Sequence, residues 1–157
     1  MANFRIGRNF VDYTITASSV DTSFPASNLK HYSKPKWLFK SLVQSEVTLV
    51  LDFGVAKSIL QAVLVDVNFQ SVYIAGHTSD SWGSPAFPEQ LFAITMDKKT
   101  RRYNLCAVLT AFNFRYMRLR IPAQTPVDLS VFRVGSLVSC DTVLEFQTNP
   151  SYPFEQS

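Results

Sequence analysis

The stretch GHTSDSWG (76–83) brings the side chains of nucleophilic catalysis closest together in this chain, with His77, Ser79 and Asp80 inside four residues. A working serine needs a base that is itself oriented by a third group, and such partners converge in space from separate elements. A cluster along one loop does not supply that geometry, and there is no G-x-S-x-G turn to expose a serine at a strand–helix junction. The segment therefore reads as a polar inter-strand loop, and the chain is expected not to be an enzyme. Transition-metal chemistry is disfavoured as well. The only histidines are His31 and His77, and no C-x-x-C is present, whereas a zinc site needs several nitrogen and sulfur ligands at ligand spacing. No cofactor is expected. A structural Ca²⁺ held by loop carbonyls leaves no sequence mark and stays an open question.

Recognition chemistry is better represented. Trp82 lies in SDSWGSPAFPEQ, a Gly/Ser/Pro-rich loop, where an indole either stacks on a sugar or fills a partner's pocket, or else caps the end of a sandwich. Phe87 in the same loop favours contact. Trp37, in KPKWLFKS, reads as a core plug. The basic tip KKTRR (98–102), with Arg101 and Arg102, suits phosphate or an acidic partner but reads first as a solvated hairpin turn. Arg115, Arg118 and Arg120 lie on an alternating strand with Arg118 and Arg120 on the side of Tyr116. An Arg–Tyr face suits carboxylate pairing or a protein interface. No glycine-rich phosphate loop is present.

The elements that must position these residues are strands. Val47, Leu49, Leu51 and Phe53 alternate with Thr48, Val50 and Asp52, which predicts one half-buried strand ending at Gly54. Residues 59–69 are apolar on both faces, which predicts a central strand, with Asn68 satisfying loop backbone at its end. Further strands are expected at 13–19, 71–77, 90–96, 103–109, 114–121 and 129–138, with one helical turn at PASNLK (25–30). All eight prolines fall in loops or at strand ends. Short strands separated by turn signals predict an all-β fold, an antiparallel β-sandwich. Alternation fades after residue 138, so the domain is expected over 1–138 and an extended C-terminal tail over 139–157, packing on the domain or on a neighbouring subunit.

The 157 residues suit one domain with a core that needs no metal or disulfide. Hydrophobic residues make up 46% and charged residues 17%, which suggests that a partner covers part of the surface. A net charge of +3 is too mild for a nucleic-acid footprint. Cys106 and Cys140 are expected to be reduced, buried thiols, consistent with assembly in a cytosol. The N-terminus lacks an apolar signal region, and the longest apolar run is too short to insert in a membrane.

An ordered set of short motifs resembles the discoidin or coagulation-factor C-type module, a galactose-binding-like jelly-roll sandwich. It comprises Ala17–Ser19, Pro25–Leu29, Trp37–Ser41, Asp52–Gly54 and Tyr116–Arg118. The strand LVDVNF and the closing RVGSLVSCD…FQTNPSYPFEQ resemble related sandwiches in tailed-phage virion proteins, and the terminal cysteine pair of secreted members is missing. The resemblance implies a non-enzymatic structural component of a virion, in the tail, tail tip or neck, assembled in the host cytoplasm. Its partners would be other virion proteins in symmetric copies, met through Phe87, Arg101, Arg102, Phe146, Tyr152 and Phe154. The alternative is a carbohydrate-binding module for a host-surface glycan, using the loop end with His31, Trp37, His77 and Trp82.

Overall fold

The computed structural model describes residues 3–30, 38–96, 103–110, 112–127 and 131–147. Among them are twelve strands and one short 3-10 helix: β1 (Asn3–Phe10), β2 (Thr14–Ala17), η1 (Ala26–Lys30), β3 (Phe39–Lys40), β4 (Val47–Ser58), β5 (Gln61–Val67), β6 (Ser71–His77), β7 (Phe87–Ala93), β8 (Thr95–Met96), β9 (Tyr103–Val108), β10 (Asn113–Ile121), β11 (Arg133–Val134) and β12 (Ser136–Gln147). They form two five-stranded sheets, β1-β12-β5-β9-β8 and β2-β4-β10-β6-β7, and a small β11-β3 pair. Every pairing is antiparallel. No helix among the described residues is long and apolar enough to cross a membrane.

Alternation decides which side chains enter the space between the sheets. Along β4, Val47, Leu49, Leu51 and Phe53 are buried while Thr48, Val50 and Asp52 stay half-exposed. Met117 and Leu119 of β10 lie opposite Leu51 and Leu49 and are fully buried beside them. Leu64, Leu105 and Leu137 close the core from the other sheet. Burying each such side chain contributes about 1.5–3 kcal/mol. Phe69 and Phe132 meet edge-to-face with centroids 5.9 Å apart, a favoured aromatic geometry.

The central strand is where alternation placed it: β5 has β12 on one side and β9 on the other. Two boundaries differ from expectation. Gly54, at φ 77°, does not end β4; it turns the strand locally, and pairing with β10 continues to Ser58. The domain boundary at 138 falls inside β12, which pairs with β5 through Cys140 and then with β1 through Gln147. Residues 139–147 are therefore sheet, held by a long-range ladder that local alternation does not record. The remainder of the expected tail, residues 148–157, lies outside the described residues. The thiols are free: Cys140 is buried as expected, but Cys106 is exposed and receives a hydrogen bond from the Gln61 amide.

Candidate functional site

Strand register lays out the outer face of the β2-β4-β10-β6-β7 sheet. Thr14, Asp52, Tyr116 and His77 are directly opposed across four neighbouring strands. Opposed residues share a face, so these four form one outward row. The next row runs Thr16, Val50, Arg118, Ala75, and the one after it includes Thr48, Arg120, Tyr73 and Leu91. A register shift between Phe114 and Tyr116 lets Arg115 reach this face beside Tyr116.

Carboxylates organise the arginines. Arg120 donates from Nε and Nη2 to the two oxygens of Glu89 at 2.8 and 2.5 Å, and from Nη1 to Glu46 at 2.8 Å. Arg118 Nη2 donates to the same Glu89 at 3.0 Å. The Arg120 hydrogen bonds hold the Glu89 carboxyl below the usual carboxylate range. Aromatic rings complete the layer, with the Arg120 guanidinium 4.2 Å from the Tyr73 ring centroid and that of Arg118 4.8 Å from Trp82. Ala75 points outward yet is fully buried, as expected of a small residue roofed by this layer. The Arg–Tyr face thus serves carboxylate pairing, one of its two sequence readings.

Trp82 is fixed from two directions. Its indole N–H donates to Asp80 Oδ1 at 2.6 Å, and its ring meets His77 edge-on at 6.5 Å. The Ser79 amide donates to His77 Nδ1 at 3.0 Å, which places the proton of the neutral imidazole on Nε2. Ser79 Oγ is also 3.0 Å from His77 Nδ1. Serine and histidine do meet, but Asp80 is engaged by Trp82 instead of orienting His77. The three residues make a braced loop and not a triad.

At the other end of the first row, Asp52 accepts two hydrogen bonds from Arg115, at 2.8 Å each, and one from the Gly54 amide at 2.7 Å. Hydrogen bonding to Arg115 above all holds its carboxyl at about 2. A depressed carboxylate stabilises the fold fully above its unfolded value near 3.9, and that contribution is lost as pH falls towards 2. Asp52→Asn is therefore expected to flatten the fall in urea midpoint between about pH 4 and pH 2. A fall as steep as in the wild type would show that Asp52 contributes nothing to acid unfolding. Beside Asp52 opens a cleft of about 540 Å³, lined by Phe10, Asp12, Tyr13, Thr14, Lys57 and Asp141, among others.

Of the residues expected at a binding site, the structure brings His77 and Trp82 together. His31 and Trp37 lie outside the described residues, as do Arg101, Arg102, Tyr152 and Phe154. Phe146 pairs in backbone register with Phe4, and its side chain lies outside the described set. Phe87 is a correction. It opens β7, is 5% exposed and packs on Phe112 with centroids 5.4 Å apart, because the bulge between Ile74 and Gly76 turns it to the core. Among the described residues no group of three His, Cys, Asp or Glu is placed to hold a metal. Glu89 carries no sequence signal of its own, and the sequence marks Asp52 only as a strand-end residue of the Asp52–Gly54 motif. The alternation of Arg118 and Arg120 suited carboxylate pairing or a protein interface, and did not say which carboxylates.

No protein-family model and no curated protein matches this sequence. Solved structures do. A chain of the complex of reduced XRCC1 with the DNA polymerase β catalytic domain is similar with a TM-score of 0.66 at 10% identity, over 85% of this chain and 99% of that one. A mutant of the lectin-binding domain of lectinolysin, complexed with Lewis b, gives 0.62 at 11% identity over 83% and 92%. A mutant of chitosan-binding module 1, derived from a chitosanase/glucanase from Paenibacillus sp. IK-5, gives 0.59 at 17% identity over 83% and 95%. At such identities the likeness is one of fold, and the protein is an antiparallel β-sandwich.

Proposed function

We propose that this chain is a glycan-binding module that performs no reaction of its own, and that the surface around Trp82 takes the sugar. The observation that carries this is the bracing of Trp82, an indole on a surface loop held by Asp80 and Arg118 beside His77. Sugar sites combine an aromatic plane for the apolar face of a pyranose with fixed polar groups for its hydroxyls. Two of the similar structures, the lectinolysin domain and the chitosan-binding module, carry carbohydrate binding in their names, which supports the reading without assigning a sugar. A location in a phage virion belongs to the same proposal. Its support is the sequence resemblance of the LVDVNF and NPSYPF segments, and a glycan site would serve attachment there.

A broad glycan array tests the proposal. The wild type is expected to bind at least one sugar class, and Trp82→Ala to weaken that binding about tenfold or more with an unchanged unfolding midpoint. An array on which the wild type binds nothing ends the proposal, as does a Trp82→Ala variant that binds like the wild type.

A further inference from the structure

The 540 Å³ cleft at Asp52 and the Trp82 loop flank one row of side chains. From Thr14 to His77 the row crosses three inter-strand spacings, roughly 14 Å. Trp82 meets His77 at one end, and the cleft is lined by Thr14 and Asp52 at the other. That path is longer than a single sugar ring. Between the ends, Tyr116 lies across from both Asp52 and His77 and carries the Arg115 guanidinium 4.8 Å above its ring.

Between its ends the path is also charge-compensated. Asp52 is held by Arg115, Glu89 by Arg118 and Arg120, and Glu46 by Arg120. At the cleft Asp12 is bonded to Lys30 at 2.7 Å, and Lys57 and Asp141 bring one charge of each sign. Between the two ends a sialate, sulfate or amino group would have to break an ion pair to find a counter-charge. Hydroxyl groups would meet a surface rich in oriented donors and acceptors.

We infer that the cleft is the second half of the binding site, and that the ligand is an uncharged oligosaccharide laid across β6, β10, β4 and β2, one ring on Trp82 and another in the cleft. This rests on the glycan reading above and adds to it the ligand's length and charge. The test is an array of neutral, sialylated, sulfated and de-N-acetylated oligosaccharides, followed by calorimetry with the best neutral hit as mono-, di- and trisaccharide. Hits are expected among the neutral glycans, with the trisaccharide at least tenfold tighter than the monosaccharide. Affinity should hold within about twofold between about 50 and 500 mM NaCl, since no charged contact is there to be screened. Thr14→Arg and Thr14→Glu, of opposite charge at an exposed strand position, should both bring the trisaccharide down towards the monosaccharide. The inference is overturned, with the glycan reading intact, if the monosaccharide binds as tightly as the trisaccharide, if both Thr14 variants bind like the wild type, or if charged glycans bind best with strong salt sensitivity. If no oligosaccharide binds at all, both fall together.

Discussion

Asn68→Leu is expected to destabilise the sandwich by about 3 kcal/mol. Asn68 is 2% exposed and ties together a segment more than 60 residues away. Its Nδ2 donates to the Val131 carbonyl at 2.8 Å, and its Oδ1 accepts the Arg133 amide at 2.7 Å. Leucine is similar in size but leaves both backbone groups without this partner, and each buried unsatisfied group costs about 1–3 kcal/mol. For a domain of this size the melting temperature should fall by about 6–12 °C, and the urea midpoint should fall with an unchanged slope. Asn68→Asp keeps the acceptor and should recover part of the loss. The residue lies beyond the Ser71 end of β6 and Trp82 beyond the His77 end, so glycan binding by the folded variant should be that of the wild type. A loss below about 1 kcal/mol would mean that water replaces the amide, and the bracing role would be abandoned.

Glu89→Ala is expected to reduce both stability and binding. The carboxylate is shared by two arginines whose side chains are only 16% and 23% exposed. Removing one partner of a buried pair costs about 3–5 kcal/mol, since the remaining charge stays desolvated. Glu89 is itself 25% exposed, and water offsets part of this, which brings the expectation to about 2–3 kcal/mol. Among the described residues Arg118 Nε is buried without a partner, so Glu89 supplies the acceptor that this guanidinium has. The functional consequence follows from contact order in the stack: Glu89 holds Arg118, and Arg118 lies against Trp82. Iodide quenching of tryptophan fluorescence should rise in Glu89→Ala, and glycan affinity should drop with it. Glu89→Gln, which preserves shape and one acceptor, should fall between. If Glu89→Ala leaves quenching and affinity unchanged, Trp82 is positioned by Asp80 alone.

Much of this arrangement was legible in the sequence, for a definite reason. Alternation is a local property that reports which face each residue takes. Thus β4, β5, β6 and β10 are found close to where the pattern puts them, and Arg118, Arg120 and Tyr116 share a face. The backbone role of Asn68 was legible as well, because a polar residue closing an apolar strand must meet the hydrogen-bonding demand of the loop it enters.

Partnership is a different kind of information. Whether Glu89 lies beside Arg118 and Arg120, which follow it by 29 and 31 residues, depends on β6 standing between β7 and β10 in one register, and no local pattern encodes that. The same holds for β1, which exists as a strand because β12 continues far enough to pair with it. A bulge turned Phe87 from expected contact residue to core, and a one-residue shift in register reverses every side chain after it. Sequence alone determined the sheets' faces and the chemistry available on them. Tertiary structure decided the pairing of charges, the bracing of Trp82 and the joining of loop and cleft in one row, since each depends on strands brought together across the length of the chain.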